Sequence, residues 1–110
     1  MSKLLPLSII KNIPNLYETE NKEEKLCYVK LFLADSSWTW YIIEIDKEDN
    51  NTCFGFVDGV EQELGYFTLS ELESVKGLFG LKVELDRNFK PTKLSKIRAS
   101  IWKSLHLLQL

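Results

Sequence analysis

The chain has 110 residues and a formal net charge of −2, with 45% hydrophobic, 27% charged and 12% aromatic residues. That is the size and balance of one globular domain spanning 1–110, about 13 Å in radius of gyration. It argues against a disordered chain, a collagen and a coiled coil, and excludes a cofactor domain joined to a separate substrate domain.

The first apolar run, residues 4–10, closes at Lys11 and Asn12, far short of the ~20 residues that a membrane span needs. No small-x-small cleavage site follows it, so neither a span nor a secretory leader is expected. Pro6 suits a first helical turn, and Leu7, Ile10 and Ile13 follow at helical spacing until Pro14. A short amphipathic helix opens the chain. Residues 17–25 carry Glu18, Glu20, Glu23 and Glu24 and read as a surface loop. Residues 27–34 are aromatic and branched, a strand that ends at Asp35-Ser36-Ser37. Residues 38–46 alternate Trp38, Trp40, Ile42 and Glu44 with Thr39, Tyr41, Ile43 and Ile45, a strand largely apolar on both faces. Turn residues 47–51 lead to a strand over 52–57, and Asp58-Gly59 turns it into a fourth over 62–67.

Thr68-Leu69-Ser70-Glu71 matches a capping box, which predicts a helix from Leu69 to about Lys76, stopped by Gly77. Residues 81–85 offer a further strand, and 88–91 turn into a last helix. There Leu94, Ile97, Ile101, Leu105 and Leu108 form one stripe, with Lys96 and Lys103 on the opposite side. The expected fold is α+β: an antiparallel meander of four to five strands with the N- and C-terminal helices packed on one face.

Chemistry is thin. Cys27 and Cys53 lie in apolar segments with no second Cys or His pair, so they read as buried thiols of a reducing, cytoplasmic setting. His106 is the single histidine, no G-x-S-x-G elbow is present, and the five glycines make no phosphate loop. Glu44, Asp46, Glu48, Asp49, Asp58, Glu61 and Glu63 surround two turns. The stretch from Asp46 resembles a calcium loop poorly, because Asn51 replaces its glycine and Val57 its bidentate glutamate. No cofactor or metal is expected, although a metal-dependent hydrolase using these carboxylates stays an alternative. The charge is lopsided: Arg87, Lys90, Lys93, Lys96, Arg98 and Lys103 stand without a single acid after Asp86, leaving a net of −8 before them. That split suits a basic nucleic-acid patch or a helix complementing an acidic body. The aromatics at 38–67 lack the interleaved bases of a single-strand binder, with Lys47 alone against seven acids.

The run Trp38-Thr39-Trp40-Tyr41 with Glu44 and Asp46, then Phe54-Gly55, Glu63-Leu64-Gly65-Tyr66-Phe67 and Leu69-Ser70-Glu71-Leu72-Glu73, continues to Gly80-Leu81, Val83-Glu84, Asp86 and Phe89-Lys90-Pro91. Over most of its length it resembles an uncharacterised bacterial family catalogued as a domain of unknown function (2958). The resemblance implies a bacterial, cytoplasmic protein accessory to a plasmid or other mobile element, and it carries over no catalytic residue. The leading expectation is a non-enzymatic interaction protein that binds a protein partner through Asp58, Glu61 and Glu63 with Trp38 and Trp40. Nucleic-acid binding through Arg87, Lys90, Lys93, Lys96 and Lys103 is the alternative.

Overall fold

The structure, a computed structural model, describes residues 4–107. In chain order the elements are α1 (Leu7–Ile10), β1 (Leu26–Cys27), β2 (Val29–Leu33), β3 (Thr39–Ile45), β4 (Thr52–Asp58), β5 (Gln62–Thr68), α2 (Leu69–Glu73), β6 (Val83–Leu85), β7 (Thr92–Lys93) and α3 (Leu94–Leu107). Five strands form one antiparallel sheet in the order β5-β4-β3-β2-β6. The meander of four strands is as the alternation predicts. The expected strand at 81–85 supplies the fifth, and it pairs with β2 at the far edge rather than with its neighbour in sequence. The expected first strand divides at Tyr28, because β1 leaves the main sheet to pair with β7.

The α+β class and the antiparallel sheet stand, but the terminal helices do not share a face. Trp40 and Ile42 of β3 pack with Leu5, Ile10 and Ile13 around α1 and with Leu69 and Leu72 of α2. Tyr41 and Ile43, pointing the other way, pack with Phe56 and with Leu94 and Ile97 of α3. A strand apolar on both faces needs a cover on each, and the two ends of the chain supply one apiece. The stripe on the last helix is also shorter than its spacing suggests. Leu94 and Ile97 are buried, whereas Leu105 is 50% exposed because α3 runs on past the sheet. Leu108 lies outside the described residues.

A bulge interrupts β3 against β4 between Ile42 and Glu44. Gly55 sits opposite, where a Cβ would lie 1.9 Å from the Tyr41 carbonyl oxygen, so only glycine admits this approach. Beyond it, α2 is capped as predicted by Thr68, whose hydroxyl accepts the Glu71 N–H at 3.1 Å. Asn51 adds a second cap by accepting the Ser70 N–H at 2.9 Å. The helix ends at Glu73, short of Lys76, which instead bridges to Lys82.

Candidate functional site

Antiparallel order brings three loops to the same end of the sheet: the β2–β3 turn, the β4–β5 turn, and the segment that enters β6. In the third, Gly77 donates its N–H to the Leu81 carbonyl at 2.8 Å and Gly80 donates to Gly77 at 3.0 Å. Gly80 has φ +82°, the left-handed position that closes a three-residue hairpin loop. The loop is held from outside by Asp35 of the β2–β3 turn. One carboxylate oxygen, Oδ2, accepts the Phe79 N–H at 2.8 Å and the Leu81 N–H at 3.3 Å. The other oxygen is buried against Gly77, where a Cβ would come within 1.5 Å of it.

This fixed loop holds two large apolar side chains out in solvent: Leu78 is 88% exposed and Phe79 81%. The β4–β5 turn does the same with Val60, 89% exposed. Between the two loops stands Trp38, stacked on Trp40 with ring centroids 5.8 Å apart and backed by Gly59. Trp38, Trp40, Leu33, Val75 and Gly77 line an apolar cleft of about 350 Å³. The aliphatic stem of Lys76 closes one side of it.

Of the residues the sequence singles out, the structure brings Trp38, Trp40, Asp58, Glu61 and Glu63 to this end, though on different sides. Leu31, Trp40, Val57 and Glu63 form one cross-strand row on the α1 face. Asp58 pairs with Thr39 and Gln62 and therefore points to the α3 face, where burial raises its carboxyl pKa. Glu61 is in the turn between them. Glu44 and Asp46, grouped with them in sequence among the carboxylates around the two turns, do not join them. Asp46 is at the opposite end of β3, where it accepts the Glu48 N–H at 2.8 Å. Glu44 is buried, its carboxylate taking the N–H groups of Tyr17 and Thr19 at 2.9 Å each and the Thr19 hydroxyl. It organises the 15–25 loop and is closed to a partner. Leu78, Phe79 and Val60 were missed from sequence, although Leu78-Phe79 between two glycines is itself a signal of a displayed apolar tip.

The bases spread elsewhere. Lys93, Lys96 and Lys103 are exposed along the outer side of α3 and its approach, while Arg87 borders a separate cleft of about 270 Å³ beside Ile9 and Tyr28. Lys90 is exposed in the turn before β7, and Arg98 lies 5.1 Å over the Phe56 ring. His106 stacks on Trp102 at 3.6 Å on the overhanging part of α3. Among the described residues no three His, Cys, Asp or Glu side chains converge to hold a metal ion, and no helix is long and apolar enough to cross a membrane. Cys27 and Cys53 are buried free thiols, each pushed up to about 12 by desolvation and so poor nucleophiles.

The chain belongs to the family described as a protein of unknown function (DUF2958), whose model matches residues 4–103. No curated protein and no solved structure matches it significantly.

Proposed function

We propose that this member of the family is a non-enzymatic interaction protein, accessory to a bacterial mobile element, that docks a protein partner through the loop end of its sheet. The observation that carries the reading is the pair Leu78 and Phe79, displayed in solvent by a loop whose backbone Asp35 locks. Exposed apolar groups on rigid backbone bind without the ordering cost of a flexible loop. Trp38 and Val60 widen the apolar surface, and Asp58, Glu61 and Glu63 give its β4–β5 side a negative rim. The fitting partner has an apolar recess with a basic border, since charge around a docking patch steers encounter and apolar anchors hold it.

The test is capture from the source bacterium with wild type, with Leu78→Ser/Phe79→Ser, and with Asp58→Lys/Glu61→Lys/Glu63→Lys, read by mass spectrometry. A partner lost from the first variant and reduced with the second supports the reading, provided both keep the wild-type thermal midpoint. Equal capture by all three overturns it. A second reading has one observation in its favour: Lys96 and Lys103 occupy one exposed side of α3, seven residues and about 10 Å apart. Nucleic acid bound there would dissociate steeply as salt rises, because each phosphate contact releases a counterion. Absence of binding to DNA and RNA at low salt removes it.

A further inference from the structure

We propose that β5 is the seam of a two-fold homodimer, in which the β5 strands of two copies pair antiparallel about Gly65 and join two sheets into one. The proposal goes beyond the docking surface and shares only Glu63 with it.

Among the described residues β5 has a strand neighbour on its β4 side only. Its pairing fixes which backbone groups are free. Leu69 donates its N–H to the Asn51 carbonyl at 2.9 Å, and the register continues without a shift through Cys53↔Phe67, Gly55↔Gly65 and Val57↔Glu63. In an antiparallel ladder, hydrogen-bonded and non-hydrogen-bonded pairs alternate. Phe67, Gly65 and Glu63 therefore bond inward to β4, while Leu64 and Tyr66 turn their N–H and C=O groups outward. Natural sheet edges are guarded by shortness, lysine, proline or a bulge. The opposite edge, β6, is short at three residues and follows Lys82. β5 is seven residues of regular strand with no Lys, Arg, Pro or bulge.

The occupant follows from the register. Outward-bonding residues must meet outward-bonding residues, which leaves a short series of alignments for two copies of this strand. The alignment that sets Gly65 opposite Gly65 pairs Gln62 with Thr68 at both ends, so it alone engages the full strand. It also places Leu64 beside Tyr66 of the other copy, twice. These are the two exposed apolar side chains of the strand, 42% and 58% exposed, and Tyr66 already packs on Phe54 with ring centroids 5.2 Å apart. Aliphatic–aromatic cross-strand pairs of this kind stabilise sheets. Glu63, the one charge in β5, falls opposite Phe67 and four residues from its own counterpart, whereas shifting the centre by two positions toward the turn, onto Glu63 itself, would set the two carboxylates face to face.

Gly65 provides the test. As a non-hydrogen-bonded pair the two Gly65 Cα atoms would stand about 4.5 Å apart, within the ~4.4–6.8 Å that a disulfide spans. A Cβ at Gly65 meets nothing within 4 Å in the monomer, so Gly65→Cys leaves the fold intact. The native thiols are buried and silent. Sedimentation of the wild type across micromolar to millimolar concentration is expected to show a monomer–dimer equilibrium, and Leu64→Lys to raise its dissociation constant more than about tenfold. Mild oxidation is expected to cross-link Gly65→Cys but not Glu63→Cys. A wild type that stays monomeric throughout, a dimer indifferent to Leu64→Lys, or cross-linking at position 63 in place of 65 each overturns the proposal.

Discussion

Asp35→Ala removes the carboxylate that locks the display loop. Oδ2 accepts the Phe79 N–H at 2.8 Å and the Leu81 N–H at 3.3 Å, and Oδ1 is buried with no hydrogen-bond partner. A hydrogen bond to a charged group is worth about 1.5–3 kcal/mol, and a buried orphan acceptor costs roughly 1–3 kcal/mol. The 3.3 Å contact is at the long, weak end of the range. Gain and penalty partly cancel, which leaves about 1–2 kcal/mol, or a factor of about 5 to 30 in the opening equilibrium. Hydrogen exchange followed by NMR reads this directly. The Phe79 and Leu81 amides are expected to exchange faster by that factor, while amides of Ile42 and Phe56 keep their wild-type rates, because the loop contributes to neither core cluster. Gly77→Ala should reproduce the effect, since its methyl would occupy the space of Oδ1. The double variant should then add little, as expected of two changes to one contact. Unchanged exchange at Phe79 in Asp35→Ala, or full additivity of the two substitutions, would refute the assignment of Asp35 as the lock.

Glu44→Ala is expected to cost about 3–5 kcal/mol in urea denaturation, because it strands three donors, two of them on buried Thr19; Glu44→Gln, which keeps one acceptor, should cost less. Cys27 and Cys53, both pushed up to about 12 by burial, should resist thiol reagents at mildly alkaline pH until the protein unfolds, so labelling in native buffer that outpaces unfolding would contradict their placement. Burial raises the Asp58 carboxyl, so the native state holds its proton more tightly than the unfolded chain does. The Asp58 contribution to stability therefore falls as pH rises from the unfolded to the folded pKa, and Asp58→Asn should exceed wild type at neutral pH and lose that advantage as pH falls below the carboxylate range. Paired denaturation curves at the two pH values check the sign.

Strands 3 to 5 were legible because alternation survives any tertiary arrangement: a side chain on one face of a sheet is followed by one on the other. The same alternation in Trp40, Tyr41, Ile42 and Ile43 already asks for two covers, yet it does not say which helix takes which face. That is decided by where β6 and β7 turn the chain, at Asp86 and Phe89, and local pattern is silent there. Glu44 was illegible for a different reason. Its donors, Tyr17 and Thr19, are 27 and 25 residues away in sequence, and a bulge rotates the strand beside it. An acid in a strand reads as exposed unless such partners are seen.

The display loop lies between these cases. Composition places Leu and Phe inside a fold, but exposure of an apolar side chain is informative only against what burial would have given. Burying Leu78 and Phe79 would gain about 1.5–3 kcal/mol each, together a sizeable share of the ~5–15 kcal/mol by which domains are stable. The fold leaves both side chains out and commits Asp35, with one oxygen unpaired, to keeping their backbone fixed. A flexible loop would let them collapse onto the Trp38 cleft a few residues away, so the lock works against the hydrophobic effect within the chain. Structure held in that direction supports the proposed docking role, and it stands at the end of the sheet where three loops well separated in sequence meet.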